Sequence, residues 1–288
     1  MYWYEIRDPQ DAELDRLAER YRLHPLHIED CRHRHQAAKL EEGDAYLFVV
    51  LKPLEVDKSG DLISSDVDVF VGKDWVITVV EDGPEVVKKA MGKLRGQSNE
   101  LRPDQFLYKL MDAIVDAYVP ILDHYNDDID EIEDIVLERP EPPTLERIFD
   151  LKRHLMLFRR ICTNMRDVSN HLQRMSGGLL SADLGPFWRD VYDHLARNLD
   201  TVETQRDLLT NAMDIYLSSV ANRTNQVMKV LTILSTVALP AVIISGIYGM
   251  NVKGIPWLDS AHGFAIVMGL MAATTIVLLL LFRVLRWI

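Results

Sequence analysis

Two uncharged apolar runs near the C-terminal end constrain this chain more than any other feature. Residues 230–247 read VLTILSTVALPAVIISGI and residues 264–282 read FAIVMGLMAATTIVLLLLF. As a helix, each run is long enough to cross a hydrocarbon layer of about 30 Å. Their length and freedom from charge disfavour a buried soluble hairpin. The connection, 248–263, is too short to hold a domain, so two antiparallel spans with both ends on one side are expected. Arg223 and Lys229 precede the first span, and Arg283 and Arg286 follow the second, whereas the connection carries only Lys253. Positive residues favour the cytoplasmic side, which places the large N-terminal part and the C-terminus there. Pro240 would break a soluble helix. Within a bundle its missing hydrogen bond is tolerated, usually with a kink.

The remainder reads as soluble. Over the first hundred residues, AYLFVVLKPLEV, SDVDVFVGKD and WVITVVED are β-branched and aromatic, and DAELDRLAERY and HPLHIEDC show helical spacing. From Asp104 to Glu138 the pattern predicts one long helix, stopped by Pro140, Pro142 and Pro143. A second helix is expected from Thr144 to Met175, ended by Gly177 and Gly178, and a third from near Pro186. On the third, Val191, Leu195, Leu199, Val202, Leu209, Met213, Tyr216, Val220, Val227, Leu231 and Leu234 form a stripe running into the first span. A rod of roughly 95 Å with such a stripe is expected to bury it against neighbouring copies. The expected organisation is an α/β domain over 1–103 and long antiparallel helices over 104–183. A stalk helix over 184–251 becomes the first span at about 230–250. A loop over 252–263, the second span over 264–282 and a basic tail over 283–288 complete the chain.

Lys and Arg total 32 against 44 Asp and Glu, a net charge of −12, which leaves no cationic excess for nucleic acid. The acidic run Asp127, Asp128, Asp130, Glu131, Glu133 and Asp134 could attract cations, but a solvated helix face is the better reading. The two cysteines, Cys31 and Cys162, fit neither a disulfide framework nor a zinc knuckle. The first residues, MYWYEIRDPQ, do not read as a secretory signal. His24, His27, Cys31, His33 and His35 cluster without the spacing of a zinc motif. No phosphate-binding loop, nucleophile elbow or dinucleotide fingerprint occurs, so no enzyme and no bound cofactor are expected.

Directly after the first span stands Tyr248-Gly249-Met250-Asn251. A Pro-containing apolar helix that continues a long polar helix, ends in YGMN and is followed by a short loop and a last apolar helix resembles the CorA magnesium-transporter family, within the 2-TM-GxN superfamily. RDVYDH, DTVET, YLSSV, NQVMKVLT, HPLHIED and KLEEGDAYLFVVL extend the resemblance over nearly the whole chain. The resemblance implies a homopentameric membrane channel with an α/β cytosolic funnel, in a prokaryotic inner (plasma) membrane. Gly249, Met250 and Asn251 would form the selectivity filter, with a ring of Asn251 amides at the outer mouth. Mg2+ sheds water reluctantly, so a filter of neutral amides that binds the hydrated ion avoids most of the dehydration cost. At helical spacing below it lie Gly246, Val242, Leu239, Ser235, Leu231, Met228 and Asn225. The resemblance makes Met228 and Leu231 a hydrophobic gate and Asn225 a second amide ring; periodicity alone reads them as packing residues. It also makes Asp190 and His194 part of a regulatory cation site between protomers, for which Glu81 and Asp82 of the next chain are the candidate partners. Mg2+ would be both the transported and the regulatory ion, with Co2+ and Ni2+ as further cargo.

The loop VKGIPWLDSAHG departs from this pattern, offering one carboxylate, Asp259, and a cation, Lys253. Its GIP segment resembles the ZntB branch, and Val242 stands where the magnesium branch commonly has a hydroxyl. A proton-coupled zinc importer therefore stays open as an alternative. So does a membrane-anchored coiled-coil scaffold or sensor, which would explain the rod and the spans but not an Asn at the mouth.

Overall fold

The computed structural model describes residues 1–33, 36–81, 83–97, 100–138, 141–175, 177–252, 254–257 and 260–287. His35, Asp82, Pro140, Lys253 and Asp259, named above, lie outside these. The chain divides into two compact units, Met1–Asp214 and Ile215–Ile288.

The first unit opens with strand β1 (Tyr2–Ile6), helices α1 (Ala12–Tyr21) and α2 (Pro25–Arg32), and strands β2 (Lys39–Glu42) and β3 (Tyr46–Leu51). A two-stranded ribbon, β4 (Leu54–Val56) and β5 (Leu62–Ser64), leads to β6 (Val67–Gly72) and β7 (Trp75–Val79). The main sheet has the order β1-β7-β6-β3-β2. All its pairs are antiparallel except β1 with β7, so the first strand joins the edge formed by the last. Every residue of β3 and β6 is buried, which is why β3 reads as an unbroken apolar run; β6 differs only in the buried carboxyl of Asp68. Tyr46, Phe48, Val50, Phe70, Trp75, Ile77 and Val79 pack with Leu14, Leu17, Ile28 and Cys31 of α1 and α2. The facing Phe48 and Phe70 rings lie 4.7 Å apart. The strands β1, β2 and β5 and helix α3 (Glu85–Gln97) complete the α/β part.

The long helix expected over 104–138 is two helices, α4 (Pro103–Asp116) and α5 (Tyr118–Glu138). Pro120 explains the break. It has no N–H for the Asp116 carbonyl, and its ring would collide with that carbonyl, so the ladder stops one turn earlier, at Ala117. The next helix, α6 (Pro142–Arg174), starts on a proline in its first turn and ends ahead of Gly177 and Gly178. Those glycines take φ of 103° and 77°, a region open to Gly at little cost. A short 3-10 turn, Ala182–Leu184, then enters α7 (Gly185–Tyr248).

Along its upper part the stripe on α7 has a different partner from the one expected, whereas Val220, Val227, Leu231 and Leu234 further along are exposed in the single chain. Trp188, Val191, Leu195, Asn198, Val202, Gln205, Leu209 and Ala212 are all buried, at alternating steps of three and four. That is the seam of a coiled coil, but α5 and α6 of the same chain fill it. Ser169 Oγ donates to the Trp188 carbonyl (2.9 Å), Cys162 Sγ to that of Leu195 (3.3 Å) and Lys152 Nζ to Thr210 Oγ1 (3.0 Å), so α6 runs antiparallel to α7. From α5, the Leu122 carbonyl accepts from Gln205 Nε2 (2.7 Å). Leu199 and Met213, expected in the stripe, are only half-buried, and polar Asn198 and small Ala212 hold the seam positions.

In the second unit α7 continues through Pro240 without interruption to Tyr248, and α8 spans Gly263–Val284. Both helices are long and apolar enough to cross a membrane. Partial cover recurs at Lys229, Ile233, Pro240, Ile244 and Tyr248 on α7, and at Val267, Met271, Thr274, Leu278 and Phe282 on α8. These stripes mark where the two helices approach, and Lys229 Nζ reaches the Arg286 carbonyl at 3.4 Å.

Candidate functional site

At the end of α7 the backbone closes on itself. Gly249 N donates to the Ser245 carbonyl (2.9 Å) and Met250 N to that of Ile247 (3.2 Å). A Cβ on residue 249 would sit 3.0 Å from the Ser245 oxygen, a tight contact that glycine avoids and that any other residue relieves only if the turn gives by a few tenths of an ångström. Tyr248 Oη donates to the Pro256 carbonyl (3.2 Å), tying the following loop back to the helix. Asn251 stands outside this closure. Its side chain is exposed and, among the described residues, makes no hydrogen bond, so it does not cap the helix.

Below it, Gly246, Val242, Leu239, Ser235, Leu231, Met228 and Asn225 are all exposed, with Met228 and Leu231 at 60%. This face is distinct from the stripe that approaches α8. Among the described residues of one chain, therefore, nothing covers a long uncharged apolar face ending in an amide. In water such a face would drive association. In a membrane it can line a path only if further copies surround that path.

The acidic candidates in the first unit fall into two places. On α7, Asp190 and His194 are one turn apart, with His194 Nε2 3.7 Å from Asp190 Oδ2. The other ring nitrogen lies 3.5 Å from Asp116 Oδ1 of α4. Asp112 stands one turn before Asp116 and one turn after Tyr108 on α4. Burial, and next the Asp116 charge, hold the Asp112 carboxyl above its usual range. The Tyr108 phenol is pushed up to about 12 by burial and then by Asp112, Asp190 and Asp116 together. Three carboxylates thus share a field that His194 only partly offsets. Asp190 and Asp116 are 60% and 61% exposed, so a further partner can reach them. Asp112 and Asp116 escaped the sequence reading, although Tyr108, Asp112 and Asp116 sit at steps of four on one helix face.

Glu81 lies elsewhere, lining a small cavity with Cys31 and Asp68, and the chain's own fold does not bring it to Asp190. The histidine cluster is structural where described. His27, buried, bonds Tyr46 Oη (2.8 Å) and Glu41 (2.9 Å) and stacks on Phe48, and His24 caps α2 by accepting from Leu26 N. The acidic run on α5 is mostly exposed, with Glu131 paired to Arg147 at 2.7 Å, as a solvated face would be. Among the described residues, no three His, Cys, Asp or Glu side chains converge to hold a metal ion.

Residues 1–284 match the family model described as "CorA-like Mg2+ transporter protein". The cobalt/magnesium transport protein CorA of Thermotoga maritima is 38% identical over 279 residues, covering 96% of this chain and 80% of that protein. The complete structure of the CorA magnesium transporter from Methanocaldococcus jannaschii superposes with a TM-score of 0.88 at 25% identity, covering 99% of this chain and 91% of that one. The cytoplasmic domain of ZntB from Vibrio parahaemolyticus shares the fold, with a TM-score of 0.61 at 11% identity, over 76% of this chain and 88% of that one. With the α/β domain, the long stalk helix, the two apolar helices and the YGMN turn all in place, the chain belongs to the CorA-like Mg2+ transporter family, whose members are membrane transporters of divalent cations and not enzymes.

Proposed function

We propose that this chain is the protomer of a homopentameric channel that admits Mg2+, with Co2+ and Ni2+ as further cargo, through a prokaryotic inner membrane, both termini being cytoplasmic. The observation that carries the proposal is the exposed Asn251 amide, unbonded among the described residues, at the end of an uncharged apolar helix face. Five such amides, shaped by the Gly249 and Met250 backbone, would hydrogen-bond the water shell of a dication rather than strip it. Below them the apolar face narrows at Met228 and Leu231, where dewetting resists ions, and Asn225 adds a second amide ring.

Closure is assigned to cytosolic Mg2+ at the Asp190–His194 pair, with Asp112 and Asp116 of the same chain and Glu81 and Asp82 of the next as further oxygen donors. A dication there offsets the mutual repulsion of the carboxylates. Its loss restores that repulsion and loosens the ring. A proton-coupled zinc importer is the second reading, supported by the Gly254-Ile255-Pro256 loop segment and the single carboxylate of that loop.

The test is uptake by purified protein in liposomes loaded with Mg2+- and Zn2+-sensitive dyes, with and without a proton gradient. Voltage-driven Mg2+ entry that internal Mg2+ suppresses, and that Asn251→Ala abolishes while the pentamer stays assembled, is the expected result. Selective flux retained in Asn251→Ala would sink the filter assignment. Zinc entry that follows the proton gradient would favour the second reading.

A further inference from the structure

On the α1/α2 side of the sheet lies a cavity of ≈ 130 Å³, lined by Cys31, Ser65, Asp66, Asp68 and Glu81 among others. Asp68 belongs to the buried strand β6, on the same face as Phe70, and is only 4% exposed. A carboxyl in that position is costly unless its oxygens find partners. Among the described residues Asp68 Oδ1 has none, and neither has the buried Oγ of Ser65. The cation that acts on Asp68, Lys52, is already ion-paired with Asp66, whose other oxygen accepts from Gln36 N (3.0 Å). Cys31, from α2, lines the same cavity and is itself 5% exposed. Cys31, Ser65 and Asp68 therefore line one small cavity, with two buried oxygens that lack partners among the described residues.

We infer that this cavity binds a thiophilic divalent cation, Co2+ or Zn2+, through Cys31 Sγ and Asp68 Oδ1, with the Ser65 hydroxyl and water completing the coordination. The site lies wholly within the first unit, needs no second protomer, and stands apart from the transport reading. Two strong protein ligands do not make a preformed cage, which agrees with the lack of any three-ligand cluster among the described residues. Binding is an exchange without redox change: the metal takes the place of the thiol proton, and of any proton on Asp68, both released to solvent. A thiolate ligand separates these ions from Mg2+, which prefers all-oxygen, largely hydrated coordination. The site would let the cytosolic domain distinguish a transition-metal ion from magnesium.

The experiment titrates full-length, detergent-purified protein with Co2+ under a thiol-free reductant, reading the thiolate-to-cobalt charge-transfer absorption. One equivalent per chain should develop the band, Cys31→Ser should abolish it and Cys162→Ser should keep it. Asp68→Asn should weaken Co2+ binding at least about tenfold. No band in the unmutated protein, a band that survives Cys31→Ser, or displacement of Co2+ by equimolar Mg2+ overturns the proposal. Should a variant fail to fold, alkylation of the unmutated protein, read peptide by peptide, decides the matter. Co2+ but not Mg2+ should slow modification of Cys31 and leave Cys162 unchanged; equal rates at Cys31 with and without Co2+ overturn the site. Liposome flux is measured separately, so loss of this site and loss of the transport reading are distinguishable.

Discussion

Replacing Leu195 by alanine tests where the α7 stripe is buried. Leu195 is 0% exposed, and its carbonyl accepts from Cys162 Sγ of α6. Truncation removes three buried carbons, worth about 0.8 kcal/mol each, and leaves a space that the flanking helices close only in part. Together these amount to roughly 3–4 kcal/mol against the folded first unit. For a unit of this size each kcal/mol lowers the melting midpoint by about 2–4 °C, so a fall of roughly 6–16 °C is expected. Trp188, 1% exposed in the same seam, is an intrinsic reporter. Heating the solubilised protein while following tryptophan emission gives the midpoint, and native mass spectrometry gives the subunit count. The expected result is a large drop in midpoint with the oligomer intact below it. A midpoint within about 2 °C of the parent, with the assembly falling apart, would refute the reasoning, because it would put Leu195 between chains.

Two further outcomes follow from the charged groups. Burial raises the Asp104 carboxyl, but hydrogen bonds from Ser181 (2.9 Å) and the Arg102 guanidinium (3.1 Å) outweigh it, so the group sits below its ordinary value of 3.8. A depressed native value stabilises above the unfolded value and is lost as pH falls through the native one. Midpoints of Asp104→Asn should therefore be lower than the parent's near neutrality and converge with them below about pH 4. An unchanged gap at pH 2–3 would show that packing, not ionisation, matters there. At the proposed regulatory cluster, a carboxylate about 5 Å from a dication in a water-like medium contributes roughly 1–2 kcal/mol. Asp190→Asn or Asp112→Asn should thus raise the internal Mg2+ needed to suppress flux about tenfold, and equal suppression in both variants would remove them from the gate.

Much of the architecture could be read along the chain because its causes are local. Freedom from charge over 230–247 and 264–282 marks helices that satisfy their own backbone and need no water. Proline at the start of α6 and glycines at its end act within one turn. The YGMN turn depends on a glycine that closes against Ser245, four residues away. The break at Ala117 was equally local, written in Pro120, and was missed because the apolar period runs across it without a change of phase.

What the sequence alone could not determine was which surface meets which. A seam with steps of three and four looks the same whether a second copy or the chain's own α5 and α6 fill it, since periodicity reports burial and not the identity of the partner. Asp112 and Asp116 come to His194 because α4 and α7 pack together, a pairing between positions far apart in the chain. β1 joins β7 in parallel, leaving no mark in a five-residue segment. Asp68 reads as the polar member of an alternating strand, and only the sheet, buried on both faces, turns it into a carboxyl enclosed beside a thiol. Local propensity and hydrophobic period belong to the sequence by itself; the identity of a neighbour depends on the whole chain closing at once.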